Sequence, residues 1–146
     1  MPSPHPTISG LPPHTQQTVV ERIRQSVPTV QAIYAYGSRI DGLLHAESDL
    51  DLALLLAPAM NLPAFDLFLL AGDLEAIAGC PVDLTILDYN KSTILCKEVV
   101  TTGQRIFIAD AAAVAHFEMM TLALYAQLNE ERKPVIEAYT LEPAHG

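Results

Sequence analysis

The chain has 146 residues, enough for one domain with a continuous core and too few for two. Half of the residues are hydrophobic and 17% are charged, a globular balance that excludes wholesale disorder. The formal charge is −9 and the eight Lys and Arg residues are scattered, which argues against a polynucleotide substrate and for a basic protein partner. Cys80 and Cys96 are too few and too far apart for a zinc site, and the N-terminus lacks the charged-then-apolar pattern of a signal peptide. The expected compartment is the cytoplasm, with both thiols reduced. The most apolar stretch, residues 50–59, is interrupted by Asp51 and Pro58 and falls short of the roughly 20 residues of a membrane span, so none is expected.

Residues 1–13 contain Pro2, Pro4, Pro6, Pro12 and Pro13 and read as a flexible or extended lead-in to a single domain covering 14–146. From Thr15, a candidate N-cap, the spacing of Val19, Ile23 and Val27 predicts a first helix closed by Pro28. Residues 30–36 are rich in β-branched, aromatic and small side chains and predict a buried strand running into a turn at Gly37-Ser38. Residues 49–56 predict a second, central strand, with Asp49 and Asp51 at its start. A helix over 63–78 follows, opened by Pro63 and stopped by Gly79, with Leu67, Leu70, Leu74 and Ile77 on one face. Residues 82–87 form a third strand, 92–102 a helix ending at Gly103, and 104–108 a short fourth strand. From 111 to 139, Val114, Phe117, Met120, Thr121, Leu124, Leu128 and Val135 recur at three- and four-residue steps, a long amphipathic helix that Pro134 should kink. The order α-β-β-α-β-α-β-α predicts an α/β (α+β) fold, a small mixed sheet of four strands flanked by helices.

Asp49 and Asp51 lie two residues apart on a predicted strand, so their side chains leave the same face with α-carbons roughly 6.5 to 7 Å apart. Two carboxylates in an apolar strand repel and lose hydration unless a cation compensates them, and oxygen ligands of this kind suit Mg²⁺ with substrate phosphates. Gly37 lets the backbone approach a phosphate, while Ser38 and the amides of a short helix over 38–44 donate to its oxygens. Gly42 then turns the chain back toward the second strand. The result is a triphosphate cradle facing a metal clamp.

Gly37-Ser38, ten residues, then Asp49-Leu50-Asp51 resembles the Gly-Ser, ten-residue, Asp-x-Asp motif of the DNA polymerase beta type nucleotidyltransferases. The wider run YGSRIDGLLHAESDLDLALLL, the short length and the segment VDLTILDYNKSTILCKEVVTTGQRIF resemble the MNT-type antitoxins of HEPN/MNT toxin–antitoxin pairs, from about Thr15 to Tyr139. The resemblance implies a third acid on the following strand, matched by Asp83, which completes the metal site or activates the attacking hydroxyl. Asp88, five residues further, falls on the opposite face of a regular strand. The resemblance also implies ATP as substrate, two Mg²⁺ ions, and attack of an acceptor hydroxyl on the α-phosphate with loss of pyrophosphate. In MNT antitoxins the acceptor is a tyrosine of the cognate HEPN ribonuclease toxin, which is silenced. Arg39 and Ser48 lie inside the motif as candidate phosphate contacts, and Tyr36 stands where family members often have Phe.

Each feature also has a plainer reading. A lone Asp-x-Asp usually caps a strand or sits in a solvated turn; the Gly-Ser pair at the right distance is what raises it to a metal site. Asp83 alone reads equally as a surface acid, Arg39 as a solvated loop residue, Ser48 as a turn former and His45 as an exposed histidine. Cys80 and Cys96 read as small core hydrophobes and the Met119-Met120 pair as core, with Glu130-Glu131 the first place to seek a basic partner. Two other functions stay open: nucleotide transfer to a small hydroxyl compound such as an aminoglycoside, and neutralisation by binding alone with a vestigial metal site.

Overall fold

Side-chain alternation explains how the sheet is built. In the computed structural model, which describes residues 8, 10–37 and 49–141 and side chains through 132, β1 spans Val30–Tyr36 and β2 spans Leu50–Leu56. Leu50, Leu52 and Leu54 enter one core with Ile33 and Ala35, whereas Ala53 and Leu55 enter another with Ala32 and Tyr34. Each fully buried leucine contributes roughly 1.5–3 kcal/mol over leaving it exposed, which is how β2 tolerates an acid at position 51.

Helix α1 (Pro13–Ser26) and α2 (Ala64–Ala78) cover the first core through Val19, Ile23, Leu70 and Leu74. Strand β3 spans Val82–Ile86, and α2 is the crossover that lets it run parallel to β2. Helix α3 (Thr93–Thr102), β4 (Gln104–Ile108) and α4 (Ala111–Leu141) follow, with Cys96, Val99, Val114 and Phe117 filling the second core. The sheet order is β3-β2-β1-β4, with β1 antiparallel to both β2 and β4, so the expected mixed four-stranded sheet is present.

A polar truss pins α4 to the sheet. The buried Tyr34 hydroxyl donates to Glu118 Oε2 at 2.8 Å, and Arg105 on β4 grips both oxygens of the same carboxylate. Burial and the Glu118 carboxylate push the Tyr34 hydroxyl well above the usual phenol range, and Glu118 raises Arg105 likewise, so neither proton is lost at neutral pH.

Three sequence expectations change. Thr15 is not an N-cap: α1 starts at Pro13, in the first turn, where a missing N–H costs nothing and the fixed φ suits a helix. Ile8 and Leu11, assigned to the lead-in, are buried in the first core, and the Ile8 N–H donates to the Gln16 side chain at 2.8 Å. Met119 is 58% exposed, because Val114, Phe117 and Thr121 form the packed face of α4 and position 119 falls opposite.

Candidate functional site

The acids meet because of register. Tyr36 on β1 pairs with Asp51 on β2, and Asp51 pairs with Asp83 on β3, so three side chains line up across three strands on one face of the sheet. That face is the one that carries Ala53 and Leu55 further along, so the acids occupy the open end of a layer whose other end is packed under α3 and α4. Asp49 lies just before β2 and is exposed. Short bonds fix the strand starts: the Leu50 N–H donates to the Pro81 carbonyl at 2.8 Å, and the Val82 N–H to Glu75 Oε2 at 3.2 Å. Glu75, at the end of α2, thereby sets where Asp83 begins.

Gly37 ends β1 with φ +81, left-handed backbone that other L-residues rarely adopt. A Cβ there would collide with Asp51 Oδ2, so the carboxylate lies directly against the glycine backbone. Glycine is thus needed both for the turn and for the close approach.

Burial first, then the charges of Asp83 and Asp49, push the Asp51 carboxyl above its usual value. The ion pairs seen among the described residues, Arg22–Asp73, Arg24–Glu21 and Arg105–Glu118, leave Asp49, Asp51 and Asp83 without a cationic partner. Two hard carboxylates side by side, with no cationic partner among the described residues, are the donor chemistry of a Mg²⁺ site. Among the described residues no three His, Cys, Asp or Glu side chains converge as a closed cluster; Asp51 and Asp83, paired in register, form an open pair, with Asp49 two residues before Asp51 and close enough to raise its carboxyl. Such a pair leaves coordination positions for phosphate oxygens and water.

Ser38, Arg39, Ser48, His45 and the expected helix over 38–44 lie outside the described residues. Asp88 lies beyond the end of β3, not on a strand face as expected: its side chain accepts from the Asn90 N–H and its carbonyl from the Ser92 N–H, closing the turn before α3. Cys80 and Cys96 are buried free thiols, one in each core. Sequence reading missed Thr85, whose hydroxyl lies 3.4 Å from that of Tyr36. The Tyr36 ring reaches it by crossing β2 over the small Ala53, and burial is the main reason its phenol is raised. The signal was the i, i+2 step from Asp83, which puts Thr85 on the same face.

A mixed sheet of this order with an acidic pair beside a left-handed glycine defines a minimal nucleotidyltransferase. The family model described as Polymerase beta, Nucleotidyltransferase matches residues 18–112, and the chain belongs to that family. Protein adenylyltransferase MntA of Shewanella oneidensis is 31% identical over 134 residues, which covers 89% of this chain and 93% of that protein. A crystal structure of a toxin–antitoxin with AMP-PNP matches with a TM-score of 0.75 and 30% identity, over 86% of this chain and 98% of the other. A complex of tri-AMPylated Shewanella oneidensis HEPN toxin with MNT antitoxin matches with a TM-score of 0.71 and 28% identity, over 87% and 97%.

Proposed function

We propose that this chain is the antitoxin of a HEPN/MNT pair, a protein adenylyltransferase that moves AMP from ATP to a tyrosine hydroxyl of its cognate HEPN toxin. The observation that carries the reading is the in-register pair Asp51 and Asp83 beside Gly37, in a chain that aligns along most of its length with an adenylyltransferase. Asp49, Asp51 and Asp83 are the residues that would hold Mg²⁺, which supplies neutralisation of phosphate charge when bound. Gly37 and Ser38 cradle the triphosphate through backbone amides and the serine hydroxyl, with Arg39 and Ser48 as further phosphate contacts. Asp83, exposed at the rim of the pair, orients the acceptor hydroxyl and takes its proton as the bond to the α-phosphate forms and pyrophosphate leaves. Catalysis is positioning and electrostatics on a rigid sheet edge.

The single domain takes in the buried Ile8 and Leu11 ahead of α1, and the compartment is the cytoplasm. Two buried free thiols fit a reducing environment, and no described helix is long and apolar enough to cross a membrane. Transfer of label from α-labelled ATP tests the reading. The expected result is label on the purified HEPN protein and none on a panel of aminoglycosides. Label on a small acceptor, with the HEPN protein unlabelled, replaces this reading by small-molecule modification.

A further inference from the structure

Helix α2 is apolar on the side that faces water as well as on the side that faces the core. Leu70 and Leu74 are buried, yet Phe65 is 68% exposed, Phe68 72% and Leu69 50%. Met60, in the loop that leads into α2, is also half exposed. Two consecutive turns of a helix thus hold two aromatic rings and a leucine in water, where soluble surfaces seldom keep large contiguous apolar groups. These are also the residue types that anchor protein interfaces. Among the described residues of α4, the large apolar side chains in water are Met119 and Leu122, and the acidic run Glu130-Glu131 shares its turn with Arg132.

The charges around α2 choose the occupant. Residues 64–78 include Asp66, Asp73 and Glu75 and not one Lys or Arg. Asp73 is partnered by Arg22 of α1 and Glu75 by the Val82 amide, whereas Asp66, next to Phe65 in the chain, has no partner among the described residues. A contact with a second copy would bring together two acidic helices, each without a Lys or Arg, in chains of charge −9. A cationic protein surface with an apolar centre answers both features.

We infer that the outer face of α2, centred on Phe65, Phe68 and Leu69 and edged by Asp66, docks a basic surface of the protein partner. This inference rests on the proposed HEPN partner. It adds a grip that is separate from the acids, since α2 covers the first core and the acids open on the other face of the sheet. Docking and chemistry then occupy different faces of the sheet.

The test is the affinity of the purified HEPN protein for full-length wild type and for Phe65→Ser/Phe68→Ser, by calorimetry without nucleotide. Wild type is expected to bind, and the double variant to bind at least about 30-fold more weakly, as for central aromatic anchors. Both rings are mostly exposed, so the melting temperature and ATP binding of the variant should match wild type; Asp66→Lys, which leaves the apolar face intact, should weaken binding most at low salt. Equal affinity of wild type and variant overturns the inference. So does a wild-type dimer in sedimentation that becomes monomeric in the variant, which assigns the face to a second copy. Absence of any wild-type binding removes the proposed partner itself, and this inference with it.

Discussion

Asp51→Asn is expected to lower nucleotide transfer at least ~10³-fold, about 4 kcal/mol of transition-state stabilisation, and to raise the melting temperature of the metal-free protein. The two effects share one cause. Asp51 is held against Asp83 and the Gly37 backbone in a partly desolvated position, so its charge destabilises the empty fold. The sign follows from linkage: the folded-state pKa lies above the ordinary value of 3.8, so the folded state binds its proton more tightly. Stability from this group is therefore fullest below the unfolded pKa and is lost as pH rises through the folded one. The gain from Asn should appear at neutral pH and vanish in acid. Added Mg²⁺ should reverse the order, because an ion that binds only the folded wild type stabilises it by mass action. Calorimetric melting of both proteins in chelator and in Mg²⁺, at neutral and acid pH, reads all of this. A variant that melts lower in chelator at neutral pH contradicts the electrostatic account of the site.

Gly37→Ala is expected to cost about 2 kcal/mol of stability and at least ~100-fold in transfer, measured by urea denaturation and initial rates. Left-handed backbone at φ +81 accounts for roughly 1–2 kcal/mol of the cost in any L-residue, and the new methyl also drives the Asp51 carboxylate from its place. A double-mutant cycle separates the two terms. In an Asp51→Ala background the collision is gone, and the penalty should shrink to the backbone term alone. Gly72, whose added Cβ meets nothing within 4 Å inside α2, is the control: Gly72→Ala should be neutral or stabilising. A Gly37→Ala penalty no larger than that of Gly72→Ala would mean that the turn is not strained and the contact not tight.

The sheet was legible because its strands are short apolar runs with clear punctuation. Val30–Tyr36 coincides with the expected strand, and Gly79 closes α2 where expected, in left-handed conformation. Asp51 was legible through its spacing from Gly37, whereas Asp83 came only from family resemblance; its register against Asp51 is a property of parallel pairing that no local pattern encodes. The start of α1 was misread because proline breaks helices in their interior but begins them well. Helical spacing could assign Leu70 and Leu74 to the core, but it could not reveal that Phe65 and Phe68 stay in water, since periodicity does not say which apolar face of a helix finds a neighbour. Tyr36 with Thr85, and Tyr34 with Glu118 and Arg105, join residues 49 and 84 positions apart or cross from strand to helix, and emerge only with the fold.

The central claim is that the acidic strand end transfers a nucleotide to a protein. Intact mass measurement of the cognate HEPN protein, after incubation with this chain, ATP and Mg²⁺, tests it most directly. Wild type is expected to add one or more AMP units and Asp51→Asn none, with toxin activity lost only where mass is gained. A HEPN protein that is neutralised with no change in mass would contradict the claim and make this chain an antitoxin that acts by occlusion.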